Sequence, residues 1–336
     1  MKVGFTYDSK KEYLAMGYSE EAAAEFDSEV TIAAVISAIE AMGHRVDAVG
    51  NARSLVRRLA AGERWDLVFN IAEGVNGRGR ESQVPCLLDV YDIPYTFSDP
   101  LVCATTLDKS VAKRLVQCAG INTACFALVH CQGDLGNVTL PYPVFAKPLW
   151  EGTGKGVDGA SRIETPSALA SKAMRLLAEF RQPVLVEEYL PGREFTTALL
   201  GTGSSARVLG SMEIRIRGKA PARDYSYEIK ENWQQFVDYT GIEEPGLRRE
   251  VESLALRAHQ VLECRDASRV DIRLDRDGKP AFMEVNPLPG LNPPHSDLPM
   301  IARREGMTYN HLIAAIVESA AERLPAPARA GAEKAE

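Results

Sequence analysis

The chain has 336 residues, of which 45% are hydrophobic and 25% are charged, so it has room for two or three compact units with ordinary cores. Its formal net charge of −7 argues against binding to nucleic acids or anionic membranes. The sequence has no apolar run of membrane-spanning length, no signal-peptide core at its first residues and no C-x-x-C pair among its six cysteines. We therefore expect a cytoplasmic protein with reduced thiols and with neither nucleic-acid nor membrane partners.

Apolar residues in the first segment, 1–99, alternate between strand and helix patterns. Because strands separated by helices form parallel sheets, this segment is predicted to be α/β, with ligands at the carboxyl ends of its strands. We predict strands at 2–6, 45–49 and 65–71, helices at 29–42, 55–59 and 81–90, and a short extended segment at 93–96.

The rest of the chain is predicted to form two α+β segments, 100–193 and 194–324, followed by a flexible tail at 325–336. The second segment has predicted helices at 108–119 and 166–181, strands at 143–147 and 184–190, and a glycine-rich loop at 152–159. The third has predicted strands at 194–200 and 206–216, a polar loop at 218–240, a helix at 246–263, a hairpin at 269–286, and helices at 298–305 and 308–324.

The predicted hairpin brings two carboxylates together. Asp277-Gly278 is a strong signal for a two-residue turn, because glycine tolerates the positive φ that such turns need. This turn would pair Asp271 with Glu284 and Arg269 with Asn286 on one face of the hairpin. The opposite face would be apolar and consist of Val270, Ile272, Leu274, Met283 and Val285.

Like charges that face each other on a sheet are destabilising, so the paired carboxylates should have a compensating partner. Two carboxylates and an amide oxygen form a hard, oxygen-only set that suits Mg²⁺. The alternative is a solvated strand face on which arginines neutralise the acids. The hairpin by itself leaves both interpretations open.

A glycine-rich loop follows the strand that ends in Lys147-Pro148. Gly152, Gly154 and Gly156 stand at alternate positions, which would let backbone N–H groups approach an anion closely. The loop does not match the P-loop pattern and could be a plain surface turn. A lysine at the end of an apolar strand needs a partner, however, and phosphate would be a suitable one. The acids that end the strand at 184–190 could likewise be solvated or clamp an adenosine.

Taken in order, these pieces resemble a known family. Lys109, Lys147-Pro148 before the glycine-rich loop, Glu187 and Glu194 around Pro191-Gly192, Arg269-Val270-Asp271, and the run from Glu284 to Gly290 occur in the order found in ATP-grasp ligases. The likeness is greatest to the D-alanine–D-alanine ligase family. It implies an ATP-grasp architecture with an N-terminal Rossmann-like (pre-ATP-grasp) domain at 1–99, a small central α+β subdomain at 100–193, and a C-terminal α+β subdomain at 194–324 that holds the Mg²⁺ site. It also implies a homodimer.

The resemblance implies roles for individual residues. ATP would be bound by Lys109, Lys147, Thr153, Gly154, Glu187, Glu188, Leu190, Glu194 and Lys230. Two Mg²⁺ ions, or Mn²⁺, would be held by Asp271, Glu284 and Asn286. Three groups would serve catalysis. Lys230 would reach the γ-phosphate, and Arg269 and the backbone of Gly290 would stabilise a tetrahedral intermediate, much as an oxyanion hole does. In the implied reaction a carboxylate attacks the γ-phosphate to give an acyl phosphate and ADP, and an amine then displaces phosphate to form an amide.

The substrate half of the pattern departs from the family. Glu73 stands where the family has a histidine, Glu231 where it has a tyrosine, and Thr153 where serine is usual. The candidate substrate-binding residues are Asp27, Glu73, Glu81, Glu231 and Ser296. Arg78 and Arg80 could contact the substrate or only cover the rim of the substrate pocket.

We therefore hypothesise a ligase that acts on amino acids or small carboxylates other than D-alanine. A genuine D-alanine–D-alanine ligase and a non-catalytic ATP-binding regulator are the alternatives. Segments 152–157 and 218–232 are the candidate lids that would exclude water.

Overall fold

The computed structural model describes residues 1–218 and 233–324, which form three β-sheets. The first sheet is parallel, with strand order β2-β1-β3, as the alternating pattern predicted. Its neighbourhood also contains a short helix that the sequence did not predict, α1, and a 3₁₀ turn at Arg80–Ser82. The elements are β1 (Lys2–Thr6), α1 (Lys10–Ala15), α2 (Glu29–Ala41), β2 (Arg45–Gly50), α3 (Ala52–Ala60), β3 (Leu67–Asn70) and α4 (Gln83–Val90). The predicted segment 93–96 contributes only an isolated bridge between Tyr95 and Val68.

The second sheet is antiparallel, with strand order β4-β7-β5-β6, and α7 packs against it. Two helices, α5 and α6, precede its strands in the sequence. The ranges are α5 (Pro100–Leu107), α6 (Lys109–Cys118), β4 (Phe126–Val129), β5 (Val144–Pro148), β6 (Arg162–Ile163), α7 (Pro166–Phe180) and β7 (Val184–Glu188). Helices α5 and α6 pack not on this sheet but in a core with the next one, through Val102, Ala112 and Val116. The domain borders at 99 and 193 stay a prediction.

The third sheet is antiparallel, with strand order β10-β9-β8-β11-β12. Its elements are β8 (Glu194–Leu200), β9 (Arg207–Ile216), α8 (Trp233–Phe236), β10 (Val237–Thr240), α9 (Pro245–Val261), β11 (Ala267–Leu274), β12 (Pro280–Asn286), α10 (Asp297–Arg304) and α11 (Tyr309–Ala321). The prediction of a continuous polar loop at 218–240 was wrong at its end, because β10 pairs there with β9. Val237 supplies the buried contact that holds this short strand.

The hairpin has the predicted register only where residues 269–271 pair with residues 284–286. Asp271 pairs with Glu284 and Arg269 with Asn286, but the register shifts between Asp271 and Ile272, so that Ile272 pairs with Phe282. The prediction of a two-residue turn and of Met283 on the apolar face was therefore wrong. The connection spans Asp275 to Lys279, and the bulge turns Phe282 into the core in place of Met283.

One hydrophobic core joins the first sheet to the third. Phe5 and Phe69 from the first sheet belong to the same buried cluster as Leu200 of β8 and Leu312 of α11. A buried ion pair reinforces this contact, since Asp266 accepts hydrogen bonds from Arg323, from the hydroxyl of Ser319 and from the backbone N–H of Phe97. The fold thereby fixes the first sheet against the third sheet and against the loop that follows β12.

Candidate active site

Two cavities meet at the centre of the molecule. The larger, of about 330 Å³, lies between loops of the first sheet and the chain after β12. The smaller, of about 80 Å³, lies between the second and third sheets. Lys109, Gly152, Arg269, Glu284 and Asp297 line both cavities and form the wall that they share.

The three residues predicted to hold a metal, Asp271, Glu284 and Asn286, lie on the face of the hairpin that lines the two cavities. Arg269 donates from Nε to Oδ1 of Asp271 at 3.0 Å and from Nη2 to Oδ2 at 2.9 Å. Thr196 of β8 donates its hydroxyl to the same Oδ1 at 2.9 Å, and Asn286 donates its amide to Oδ2 at 3.4 Å. These contacts fix the side chain of Asp271, which pairs directly with Glu284 across the hairpin.

Arg269 is held by acids on two sides. Its Nη1 lies 3.3 Å from Asp297 at the start of α10, in addition to its contacts with Asp271. Burial by itself would lower the pKa of Arg269, but the carboxylates of Asp271 and Asp297 outweigh it and raise the pKa. A permanent positive charge is therefore fixed between the two cavities.

Two lysines approach Glu284 from the second segment. Nζ of Lys109, in the first turn of α6, lies 3.7 Å from Oε2 of Glu284, and Nζ of Lys147, in β5, lies 3.8 Å from the same oxygen. Lys109 also donates to the carbonyl of Glu151 at 2.6 Å. Burial would lower the pKa of Lys147, but Glu187 and Glu284 raise it, so this lysine stays charged.

Glu187 is enclosed by lysines. Its Oε1 lies 2.6 Å from Nζ of Lys113, and its Oε2 lies 3.1 Å from Nζ of Lys147. Burial would raise the pKa of Glu187, but these two lysines keep it below its usual value. The predicted contact of Glu187 with adenine stays a prediction. Lys113 is fully buried and was missed from the sequence, although it lies one helical turn after Lys109.

The other candidate nucleotide residues lie in different places. Gly154 and Glu194 line the smaller cavity, and Thr153 lines the larger one. Glu188 ion-pairs with Arg276, and Leu190 packs in a small apolar cluster that includes Ala281.

The glycine-rich loop is fastened to the first segment by a residue that the sequence analysis did not single out. Oε2 of Glu25 lies 2.8 Å from Nζ of Lys155 and 3.2 Å from Arg80, while its Oε1 accepts from the N–H of Gly152 at 2.8 Å. Burial would raise the pKa of Glu25, but Arg80 and Lys155 outweigh it and lower the pKa. Glu25 lies in an irregular stretch without a motif, so no sequence signal identified it.

Four of the five candidate substrate residues line the larger cavity, namely Asp27, Glu73, Glu81 and Ser296. Gly290, which was predicted to serve catalysis, lines the same cavity. A Cβ at position 290 would lie 2.7 Å from Oγ of Ser296, so a larger residue there would displace the hydroxyl of Ser296.

The two arginines of the 74–80 loop differ. Arg80 is buried and donates to the carbonyl of Trp150 at 2.8 Å, so it braces the loop that follows β5. Arg78 has 63% of its side chain exposed and ion-pairs with Asp108 at 3.0 Å. Arg78 therefore lies on the rim.

Lys230 and Glu231 lie outside the described residues, as does nearly all of the predicted lid at 218–232. In the two described stretches, no group of three or more His, Cys, Asp or Glu side chains is arranged to hold a metal. The candidate metal set instead combines two carboxylates with one amide. No helix in these stretches has the length and hydropathy needed to cross a membrane.

Comparison with known proteins identifies relatives. Residues 115–318, more than half of the chain, match the family model for the C-terminus of D-Ala D-Ala ligase. A D-alanine–D-alanine ligase of Bordetella petrii is 35% identical over 284 residues, which is 82% of each chain. An uncharacterized protein of Sinorhizobium fredii is 32% identical and is matched over 76% of this chain and 75% of its own. In structure, the chain resembles the D-alanine–D-alanine ligase of Bacillus anthracis complexed with ATP, with a TM-score of 0.71, 22% identity, and coverage of 96% of this chain and 98% of that one.

Proposed function

Because the chain belongs to the D-alanine–D-alanine ligase family of ATP-dependent C–N bond-forming ligases, we propose that it forms an amide from a carboxylate and an amine at the wall between its two cavities. The observation that carries the proposal is the shared wall itself. Arg269, Lys109 and Glu284 line both cavities, so the phosphates of a nucleotide in the smaller one and a carboxylate in the larger one would meet at these residues. We place the reaction in the cytoplasm, where ATP is available.

The smaller cavity suits a polyphosphate. Lys109 and Lys147 bring two positive charges to it, and the glycine-rich loop brings backbone N–H groups. Glu194, at the start of β8, would accept from the ribose hydroxyls. The nucleotide would thereby be oriented with its γ-phosphate toward Arg269 and Glu284.

The oxygen set on the hairpin fits Mg²⁺. Asp271 and Glu284 are directly opposed, and Asn286 is the adjacent amide. These hard donors would hold the ion, which neutralises phosphate charge when it is bound. A second ion, the use of Mn²⁺ and the homodimer stay predictions.

Residues of this chain would position the reacting groups for acyl transfer. A substrate carboxylate attacks the γ-phosphate, so that a new O–P bond forms and ADP leaves. Arg269 and Gly290 line the larger cavity, and the guanidinium group and the N–H of Gly290 would stabilise the oxyanion when the amine attacks the acyl phosphate. The amine nitrogen loses a proton and inorganic phosphate departs, which leaves the amide.

We also propose that the substrates differ from D-alanine. The support is the chemistry of the larger cavity, where Glu73 replaces the histidine expected from the family and lies with Asp27 and Glu81. A cavity of about 330 Å³ lies at the lower end of the roughly 300–1,000 Å³ typical of small-molecule sites. It is suited to amino acids or small carboxylates.

The test is ADP release with Mg²⁺ and ATP against pairwise pools of L- and D-amino acids and small carboxylates, with mass spectrometry of the products. We expect a product whose mass equals the two substrates less water. Glu284→Gln should abolish ADP release, whereas Glu250→Gln, on the exposed face of α9, is the matched control. A strong preference for D-alanine in both positions would contradict the proposed substrates, and nucleotide binding without ADP release from any pool would contradict the ligase.

A further inference from the structure

Three carboxylates on one wall of the larger cavity lack partners. Asp27 precedes α2, Glu73 follows β3, and Glu81 lies in the 3₁₀ turn before α4. Within residues 1–218 and 233–324, none of the three side chains makes a hydrogen bond or an ion pair. Two connections of the first segment, the one before α2 and the one between β3 and α4, thus bring three acids to one space.

The neighbouring cations are already engaged. Arg80 is held by Glu25 and by the carbonyl of Trp150, and Lys155 is held by Glu25 and Glu151. Lys109 is held by Glu284 and by the carbonyl of Glu151. Each of these cations therefore has at least one other acid to neutralise, and the wall keeps an excess of negative groups.

The electrostatics agree with this excess. Burial raises the pKa of Asp27, and the charge of Asp8 adds to the effect. Burial followed by the repulsion of Glu81 raises the pKa of Glu73, and burial raises the pKa of Glu81 to about 7 although Arg80 opposes it. Glu81 is buried, with 7% exposure, and Asp27 and Glu73 are half-buried. Acids removed from water without a partner are costly, and a cationic ligand would supply that partner.

The three acids are not arranged to share one metal ion. No group of three acids in the described stretches is arranged to hold such an ion. Carboxylates that reach one cavity from two connections suit an organic cation whose charges are separated by several bonds. One α-ammonium group would compensate one carboxylate and would leave the others unpaired.

We infer that the substrate bound against this wall is a basic amino acid, with an ammonium or guanidinium group in addition to its α-ammonium group. This inference rests on the proposed function, since the α-carboxylate of that substrate is the group that reaches Arg269. The two cationic groups of the substrate lie against Asp27, Glu73 and Glu81. The same wall discriminates against neutral side chains of equal length, because they would leave buried carboxylates unpaired.

The first experiment measures binding to the full chain by calorimetry, with a non-hydrolysable ATP analogue and Mg²⁺ present. Lysine is compared with norleucine, and arginine with citrulline, in both enantiomers. Because hydrogen bonds between charged groups are strong, we expect the basic member of a pair to bind about 10–100-fold more tightly. Glu73→Gln and Glu81→Gln should each reduce that ratio to a few-fold, and Glu21→Gln, an exposed acid outside the cavity, should preserve it.

Equal affinity for lysine and norleucine would overturn the inference, and so would a ratio that both cavity variants leave unchanged. Preferred binding of glutamate would also overturn it, by showing that protonated acids donate hydrogen bonds to an anionic side chain. ADP release in the same series separates the two claims. Turnover with neutral amino acids alone overturns the inference and supports the ligase. Selective binding of lysine without ADP release or amide product overturns the ligase and supports the basic-substrate wall.

Discussion

Replacing Lys113 by methionine should destabilise the protein and weaken nucleotide binding together. The lysine is fully buried, and its Nζ lies 2.6 Å from Glu187 and donates to the hydroxyl of Thr123 at 2.7 Å. At an effective dielectric of about 20, the attraction between charges 2.6 Å apart is about 6 kcal/mol before desolvation is subtracted. Breaking a buried ion pair by removing one partner costs about 3–5 kcal/mol. We expect about 3 kcal/mol, because Lys147 still neutralises Glu187 in part.

The assay is urea unfolding of a double-mutant cycle that consists of Lys113→Met, Glu187→Gln and the double variant. The double variant should lose at least about 1.5 kcal/mol less than the sum of the single losses. ATP affinity should fall in Lys113→Met, because Glu187 then draws Lys147 away from the phosphate region. Losses that add within about 0.5 kcal/mol would refute the coupling.

The same pair predicts a pH dependence. The pKa of Glu187 is lowered by Lys113 and Lys147, so its contribution to stability is present above the unfolded-state pKa, about 4.3, and is lost as the pH falls through the lower folded-state value. The difference in unfolding free energy between the wild type and Glu187→Gln should therefore narrow below about pH 4.

Three further substitutions probe other contacts. Gly290→Ala places a Cβ 2.7 Å from Oγ of Ser296, so kcat should fall at least about ten-fold while thermal unfolding changes little; an unchanged kcat would show that this close approach is not needed. Glu25→Gln removes the charge that fastens the glycine-rich loop to the first segment, so the KM for ATP should rise about ten-fold, and an unchanged KM would contradict that role. Arg323→Met leaves the buried carboxylate of Asp266 without its counter-charge and should cost about 3 kcal/mol in urea unfolding with kcat preserved, whereas a loss below about 1 kcal/mol would contradict the importance of this ion pair.

The sequence predicted the part of the site that rests on strand alternation. The alternation of polar and apolar residues in both strands predicted that Asp271 faces Glu284, and the two residues do pair. The prediction failed after Asp271, since a bulge removes the alternation and both Phe282 and Met283 are apolar. Periodicity cannot tell which of two adjacent apolar residues enters the core.

The missed residues had weaker signals. Lys113 follows Lys109 by one helical turn, and that spacing predicts a shared face, but its ion pair with Glu187 links α6, which packs against the third sheet, to β7 of the second sheet. Glu25 contacts Gly152 and Lys155, which lie 127 and 130 positions further along the chain. Such long-range contacts arise from the packing of whole segments, and no local pattern encodes them.

The shared wall has a kinetic consequence, because each occupant changes the surface that the other occupant contacts. Without nucleotide and Mg²⁺, Lys109 and Arg269 pair with Glu284 and Asp271, the carboxylates proposed to hold the ion. An ion that engages these carboxylates would leave the two cations available to the substrate. A carboxylate that arrives first would have to compete with these acids for the same donors. Nucleotide should therefore bind first in steady-state turnover, and the carboxylate substrate should show its full affinity only in the nucleotide complex.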